Sequence, residues 1–344
     1  MSTTPILETS FFLIWVTSPA TFAPRYLRSV ESIKWHHPDA AVTVLSNTLP
    51  PRFFLDLGLQ VSVERYDLEM LVRGTPAEAW YDRRHMYNRS AYFSNHLADL
   101  LRLLTLFHRG GTYVDTDVIF TSALRRPAHC RGTVGVESGE APSVVPTSES
   151  AILCNAIMSF EAGSSFLARA LSTFVKDYVP LTPGLTMMEL YSKGEWGAMG
   201  PLLLTRLLLR ADAATWGRTE RRSARESAGG GGGGGTMART GAAATDVCIL
   251  GRDAFYPIAP GGDAIAHFGK WEEARDAPVL VRILGGGGVV AVHYWNALTR
   301  ASPLICGSLM HRLFESGCGM QAGRHVLGQR TAGCVTELPC AAAV

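Results

Sequence analysis

Short unbroken apolar runs alternate with longer amphipathic stretches over the first 120 residues of the chain. The run Phe11–Val16 is too short for a membrane-spanning helix, which takes roughly 20 residues, and reads as a buried strand. A helical stretch from about Pro24 to Trp35 follows. The apolar run Ala41–Leu45, ended by Ser46-Asn47, completes a strand–helix–strand unit. Pro50-Pro51 breaks the chain, Val61–Val63 predicts a further short strand, and Ser94 begins a helix that runs to Arg109 and is stopped by Gly110-Gly111. A single strand over Thr112–Phe120 is expected next. Such alternation predicts an α/β fold with a mixed, mainly parallel sheet.

Helices are predicted over Phe166–Tyr178 and Pro201–Arg210, and a buried strand over Val289–Val292 behind four glycines. The stretch 217–244 contains seven consecutive glycines, Gly229–Gly235, and is expected to be a disordered insertion. Residues 309–344, rich in Gly, Cys and Ala, show no clear pattern and form an unassigned tail. The predicted organisation is one domain over residues 9–308. With 344 residues, 47% of them apolar, the chain can bury a sizeable core.

Charge narrows the function classes. There are 32 basic and 30 acidic residues and no long run of either sign, so a nucleic-acid partner is not expected. The seven cysteines lack any CxxC pair, which argues against a structural zinc site. Cys318, Cys334 and Cys340 are candidates for bridges in an oxidising compartment, with the pairing open. The sequon Asn88-Arg89-Ser90 has meaning only in a secreted chain. Phe11–Val16 has no basic flank of a signal peptide; the chain is either soluble as it stands or lacks an N-terminal anchor that would associate it with a membrane.

The chemistry is concentrated in Ser94–Phe120, SNHLADLLRLLTLFHRGGTYVDTDVIF. In a strand, residues two apart point the same way, so Asp115 and Asp117 would share one face with Tyr113 and Ile119. Two carboxylates so placed can hold one Mn²⁺ or Mg²⁺, which in turn would bridge the oxygens of a diphosphate. A lone Asp-x-Asp is ordinarily a solvated turn. Here the pair interrupts an apolar strand, where uncompensated carboxylates are costly. The preceding helix is apolar nearly all round, yet carries Asp99 and Arg102 at i and i+3. The plain reading is an exposed ion pair. Beside the Asp-x-Asp, the better reading places both in a donor pocket, Arg102 near phosphate or sugar and Asp99 near sugar hydroxyls.

This block resembles the DXD-containing sugar-binding region of the α-1,4-galactosyltransferase and α-1,4-N-acetylglucosaminyltransferase family. FFLIWVTSPATFAPRYLRSVES resembles the first strand and helix of its plant members. Later segments agree in order: Cys154-Asn155-Ala156 with Phe160-Glu161, Trp196-Gly197 with Gly200-Pro201, Ala254-Phe255-Tyr256-Pro257-Ile258, and Val292-His293-Tyr294-Trp295-Asn296. The resemblance spans roughly residues 10 to 300. It implies a GT-A type fold and a retaining transferase that moves a hexose, galactose or N-acetylglucosamine, from a UDP-sugar to a glycan or glycolipid acceptor in α linkage. It further implies a metal held by Asp117, Asp115 and His293, donor contacts at Thr17, Asp99, Arg102, Tyr113, Asp115, Asn155 and Trp295, and a Golgi location. Departures stand at Ala198, Met199 and Ala156, which suggest as an alternative a protein that binds sugar nucleotide without transfer. A haloacid-dehalogenase-like phosphatase also uses Asp-x-Asp, but Ile119 replaces its usual Thr or Val. No G-x-G-x-x-G follows the first strand, which argues against a dinucleotide-binding dehydrogenase.

Overall fold

The computed structural model describes residues 5–86, 92–138, 151–178, 197–209, 247–285, 288–317 and 338–342. Its principal elements are β1 (Ser10–Ile14), α1 (Pro24–His36), β2 (Ala41–Leu45), β3 (Ser62–Glu64), α2 (Phe93–Arg109), β4 (Gly111–Val114), β5 (Val118–Phe120), β6 (Gly132–Ser138), β7 (Ile152–Phe160), α3 (Ser165–Asp177), α4 (Pro201–Leu209), β8 (Val247–Leu250), α5 (Glu273–Leu284), β9 (Ala291–His293) and α6 (Leu309–Ser316). They fall into two compact units. The first comprises Pro5–Tyr66, Gly111–Arg126 and Arg252–Val344; the second comprises Asp67–Gly110 and Pro127–Gly251 with Met1–Thr4.

In the first unit, β4, β1, β2 and β3 lie side by side in that order, all parallel, with Phe11 opposite Val42 and Thr112. Parallel strands need both faces covered, and β1 reads accordingly as an apolar run in which Phe11 and Leu13 are fully buried. Helix α1 supplies cover through Leu27, Val30 and Ile33, three residues apart on one face. Each such side chain contributes about 1.5–3 kcal/mol by leaving water. Pro24 starts the helix, where its missing N–H costs nothing. Strand β9 pairs antiparallel with β5, His293 opposite Val118.

In the second unit, β6 runs antiparallel to β7 and parallel to β8. Most strand pairs are thus parallel, and the expected α/β, mixed and mainly parallel architecture is borne out. Helix α2 is buried on almost every side, as its sequence predicts, from His96 through Leu106. A disulfide joins Cys130 to Cys248. In the first unit a second joins Cys306 to Cys340, so the partner of Cys340 is neither of the cysteines suggested by the sequence. Cys318, Cys334, the sequon at Asn88 and the insertion 217–244 lie outside the described residues.

Three expectations need correction. The single strand over Thr112–Phe120 is two strands, β4 and β5, separated at Asp115-Thr116-Asp117. The strand expected over Val289–Val292 is Ala291–His293. Part of the unassigned tail is the helix α6, capped by the Ser308 side chain, which accepts from the His311 N–H at 3.1 Å. Leu309, Met310, Leu313 and Phe314 form its buried face.

Candidate functional site

Two glycines set up the approach to the aspartates. Gly110 ends α2 with φ at 63°, and a Cβ there would lie 2.7 Å from the Ala162 nitrogen. Gly111 has φ at 86°, and its Cβ would meet the Ser10 carbonyl oxygen at 2.8 Å. Both positions thus demand the left-handed region and leave no room for a side chain. The chain then enters β4 directly against β1.

At the end of β4 the backbone leaves the sheet, and the Thr116 carbonyl is fixed from two sides. Ser29 of α1 donates its hydroxyl to that oxygen at 2.5 Å and Tyr294 donates at 3.2 Å. Burial, with the charge of Asp117, pushes the Tyr294 hydroxyl well above the usual phenol range, so it remains a donor. The Tyr294 N–H donates to the Asp117 carbonyl at 3.0 Å, which extends the β5–β9 ladder by one bond.

This turn brings Asp115, Asp117 and His293 together, with one potential ligand atom from each inside 4.8 Å of the others. His293 Nε2 stands 3.1 Å from Asp117 Oδ2, and the Asn296 N–H donates to the same oxygen at 2.8 Å. Burial alone would raise the Asp117 pKa. The charge and hydrogen bond of His293, with the Asn296 N–H, hold it below the usual carboxylate value. Tyr113, buried in β4, donates its hydroxyl to Asp115 Oδ1 at 2.5 Å. Strand periodicity placed Tyr113 on a common face with the aspartates; its hydroxyl reaches Asp115 by another route, because the strand has already ended. Two carboxylates beside one imidazole are a hard, mainly oxygen donor set that fits Mn²⁺ or Mg²⁺. The Asn296 side-chain oxygen is buried without a hydrogen-bond partner among the described residues.

Trp295 is the one non-glycine residue with positive φ among the described residues, at 55°. It is buried, its Nε1 donates to the Ile258 carbonyl at 2.8 Å, and its ring packs edge-on to His293 at 4.2 Å. Thr17 is exposed beyond the carboxyl end of β1, and its carbonyl accepts from Thr48 Oγ1 at 2.6 Å. Open α/β sheets bind ligands at that end of their strands.

The remaining candidates cluster in the second unit. Arg102 Nη1 lies 3.4 Å from Asp99 Oδ1, and Asn155 Nδ2 donates to that oxygen at 2.7 Å. Their side chains are only 14% and 7% exposed for Arg102 and Asp99, which corrects the plain reading of an exposed ion pair. Gly200 packs against them so closely that a Cβ would fall 2.4 Å from Asn155 Nδ2. Ala198, Met199 and Ala156, the departures from the family pattern, are buried apolar positions. Sequence reasoning missed Ser29, Tyr294 and Asn296. The only signal for the last two was their place in the quoted segment Val292–Asn296.

Residues 24–132 match the family model described as the glycosyltransferase sugar-binding region containing DXD motif. An uncharacterized protein of Arabidopsis thaliana is 33% identical over 175 residues, 48% of this chain and 25% of that protein. The lactosylceramide 4-alpha-galactosyltransferase of Mus musculus is 27% identical over 293 residues, 81% of this chain and 65% of the mouse protein. That of Homo sapiens is 29% identical over 282 residues, 79% of this chain and 64% of the human protein. The chain therefore spans less than two thirds of the length of each. Among solved structures, the PaToxG glycosyltransferase aligns with a TM-score of 0.43 at 18% identity, over 64% of this chain and 76% of that one, a likeness too slight to bear on function.

Proposed function

We propose, from the match of residues 24–132 to the DXD sugar-binding region, that the chain is a metal-dependent retaining glycosyltransferase. It moves a hexose, galactose or N-acetylglucosamine, from a UDP-sugar to a glycan or glycolipid acceptor in α linkage. The observation that carries this reading is the convergence of Asp115, Asp117 and His293 within 4.8 Å, two of them inside the matched region. Asp117, Asp115 and His293 would hold Mn²⁺ or Mg²⁺, which supplies neutralisation of the diphosphate as it becomes a leaving group.

The chain's own residues do the rest by position and charge. Asp117 is kept ionised by its neighbours, and Tyr113 orients Asp115. Thr17, at the carboxyl end of β1, and Trp295, packed on His293, are assigned to the donor. Asp99, Arg102 and Asn155, already held against one another, address the sugar hydroxyls and phosphate. With retention, the acceptor oxygen bonds to the anomeric carbon on the face from which the phosphate oxygen departs, and that phosphate takes the acceptor's proton. Two disulfides support folding in an oxidising lumen, in keeping with a Golgi location.

The test is turnover. Purified protein is incubated with UDP-galactose or UDP-N-acetylglucosamine and a lactose-terminated acceptor, with and without Mn²⁺, and the product anomer is read by NMR. The reading requires an α-linked product that forms only with the metal; a β-linked product would overturn retention, and metal-independent turnover would overturn the role of Asp115 and Asp117.

A further inference from the structure

We propose that Asn296 is a further ligand residue of the cation site, through its side-chain oxygen Oδ1; the inference rests on the metal-dependent reading above and deepens it. Oδ1 is buried and has no hydrogen-bond partner among the described residues, whereas nearly all such oxygens in folded proteins are paired. The same residue is pinned beside the candidate ligands, because its backbone N–H donates to Asp117 Oδ2 at 2.8 Å.

The backbone shows what maintains this arrangement. Trp295 sits at φ 55° and ψ 57°, a conformation that is costly for an aromatic residue, and its indole is anchored on the Ile258 carbonyl. This kink turns the chain sharply after β9, so that Asn296 delivers its N–H to Asp117 instead of continuing the strand. Strain of this kind persists where the surroundings over-determine it, and it gathers at ligand sites. An amide oxygen is a normal ligand for a hard divalent cation. With Asp115, Asp117 and His293 it makes a set of three oxygens and one nitrogen.

The experiment is a Mn²⁺ titration of the full chain followed by the EPR signal of the free ion, with UDP at a fixed concentration, for the wild type, Asn296→Ala and Asn296→Asp. Thermal unfolding of each is recorded alongside. The proposal expects Asn296→Ala to raise the Kd for Mn²⁺ about tenfold or more, with little change in unfolding temperature, and Asn296→Asp to bind at least as tightly as the wild type. Equal Mn²⁺ affinity in the alanine variant overturns the role of Asn296 alone. If the alanine variant does not fold, the aspartate variant decides: a tenfold loss there counts against an oxygen ligand at this position. Absence of Mn²⁺ binding by the wild type overturns both this inference and the metal-dependent reading.

Discussion

Two polar clusters lie in the two units, and they balance charge differently. In the second unit Asp99 is matched inside the protein, by Arg102 at 3.4 Å and by the Asn155 amide at 2.7 Å. In the first unit two carboxylates, Asp115 and Asp117, meet one imidazole, and the nearby Asn296 oxygen has no hydrogen-bond partner among the described residues. The first cluster gathers two carboxylates and an imidazole, a set of the kind that suits a hard divalent cation; the second sets a carboxylate against a guanidinium and an amide.

The sharpest way to break this contrast is Asp117→Ala. It is expected to lower transfer by a factor on the order of 10³ or more and to remove Mn²⁺-dependent donor binding, while circular dichroism stays native. Next in size is Gly200→Ala, which would force a Cβ within 2.7 Å of Asp99 Oδ1 as well as onto Asn155. It should cost about 1–3 kcal/mol of stability and raise the donor KM. Gly262→Ala, where a Cβ meets nothing within 4 Å, serves as its control. Asn155→Ala should lower kcat/KM roughly tenfold, the worth of one hydrogen bond to a charged group, and leave Mn²⁺ affinity unchanged. A parallel loss of metal affinity would erase the distinction between the clusters.

Acid sensitivity of the fold has a separate source and must be known before pH profiles of either cluster are read. His37 is buried between Phe11 and Phe120, and its Nε2 accepts the Leu124 N–H at 2.7 Å. Burial lowers its pKa from 6.5 to about 4. The unfolded chain therefore takes up this proton first. The stabilisation is complete above pH 6.5 and is lost as the pH falls towards 4, up to about 3 kcal/mol in all. Urea unfolding at pH 7.5 and pH 4.5 measures it, and equal stability at the two values would contradict the assignment.

Much of the fold was legible because the apolar runs are short and cleanly bounded. Ala41–Leu45 matches the observed strand end for end, and α1 and α2 begin and end within one residue of the expected limits. The turn at Asp115-Thr116-Asp117 was not legible. Tyr113-Val114 and Val118-Ile119-Phe120 are apolar on both sides, and periodicity carries no sign that the chain changes partner strand between them. What fixes that turn, Ser29 and Tyr294 on the Thr116 carbonyl, comes from 87 and 178 residues away in sequence. The cysteine pairs were hidden for the same reason, since Cys130 and Cys248 are 118 residues apart. Helix α6 was in principle readable from Ser308 and the spacing of its apolar residues, but the Gly- and Cys-rich residues that follow masked the pattern. For the site, the carboxylates and His293 could be named from the sequence, whereas Asn296 emerges only from an oxygen seen to lack a partner.

The central claim is that the first cluster binds a nucleotide sugar through a divalent cation. Calorimetric titration of the wild type and of Asp117→Ala with UDP-galactose and UDP-N-acetylglucosamine, with and without Mn²⁺, tests it most directly. The account expects binding of at least one donor by the wild type only when Mn²⁺ is present, and no Mn²⁺-dependent binding by the variant. Donor binding that is equally tight without the metal, or that survives loss of Asp117, would contradict it.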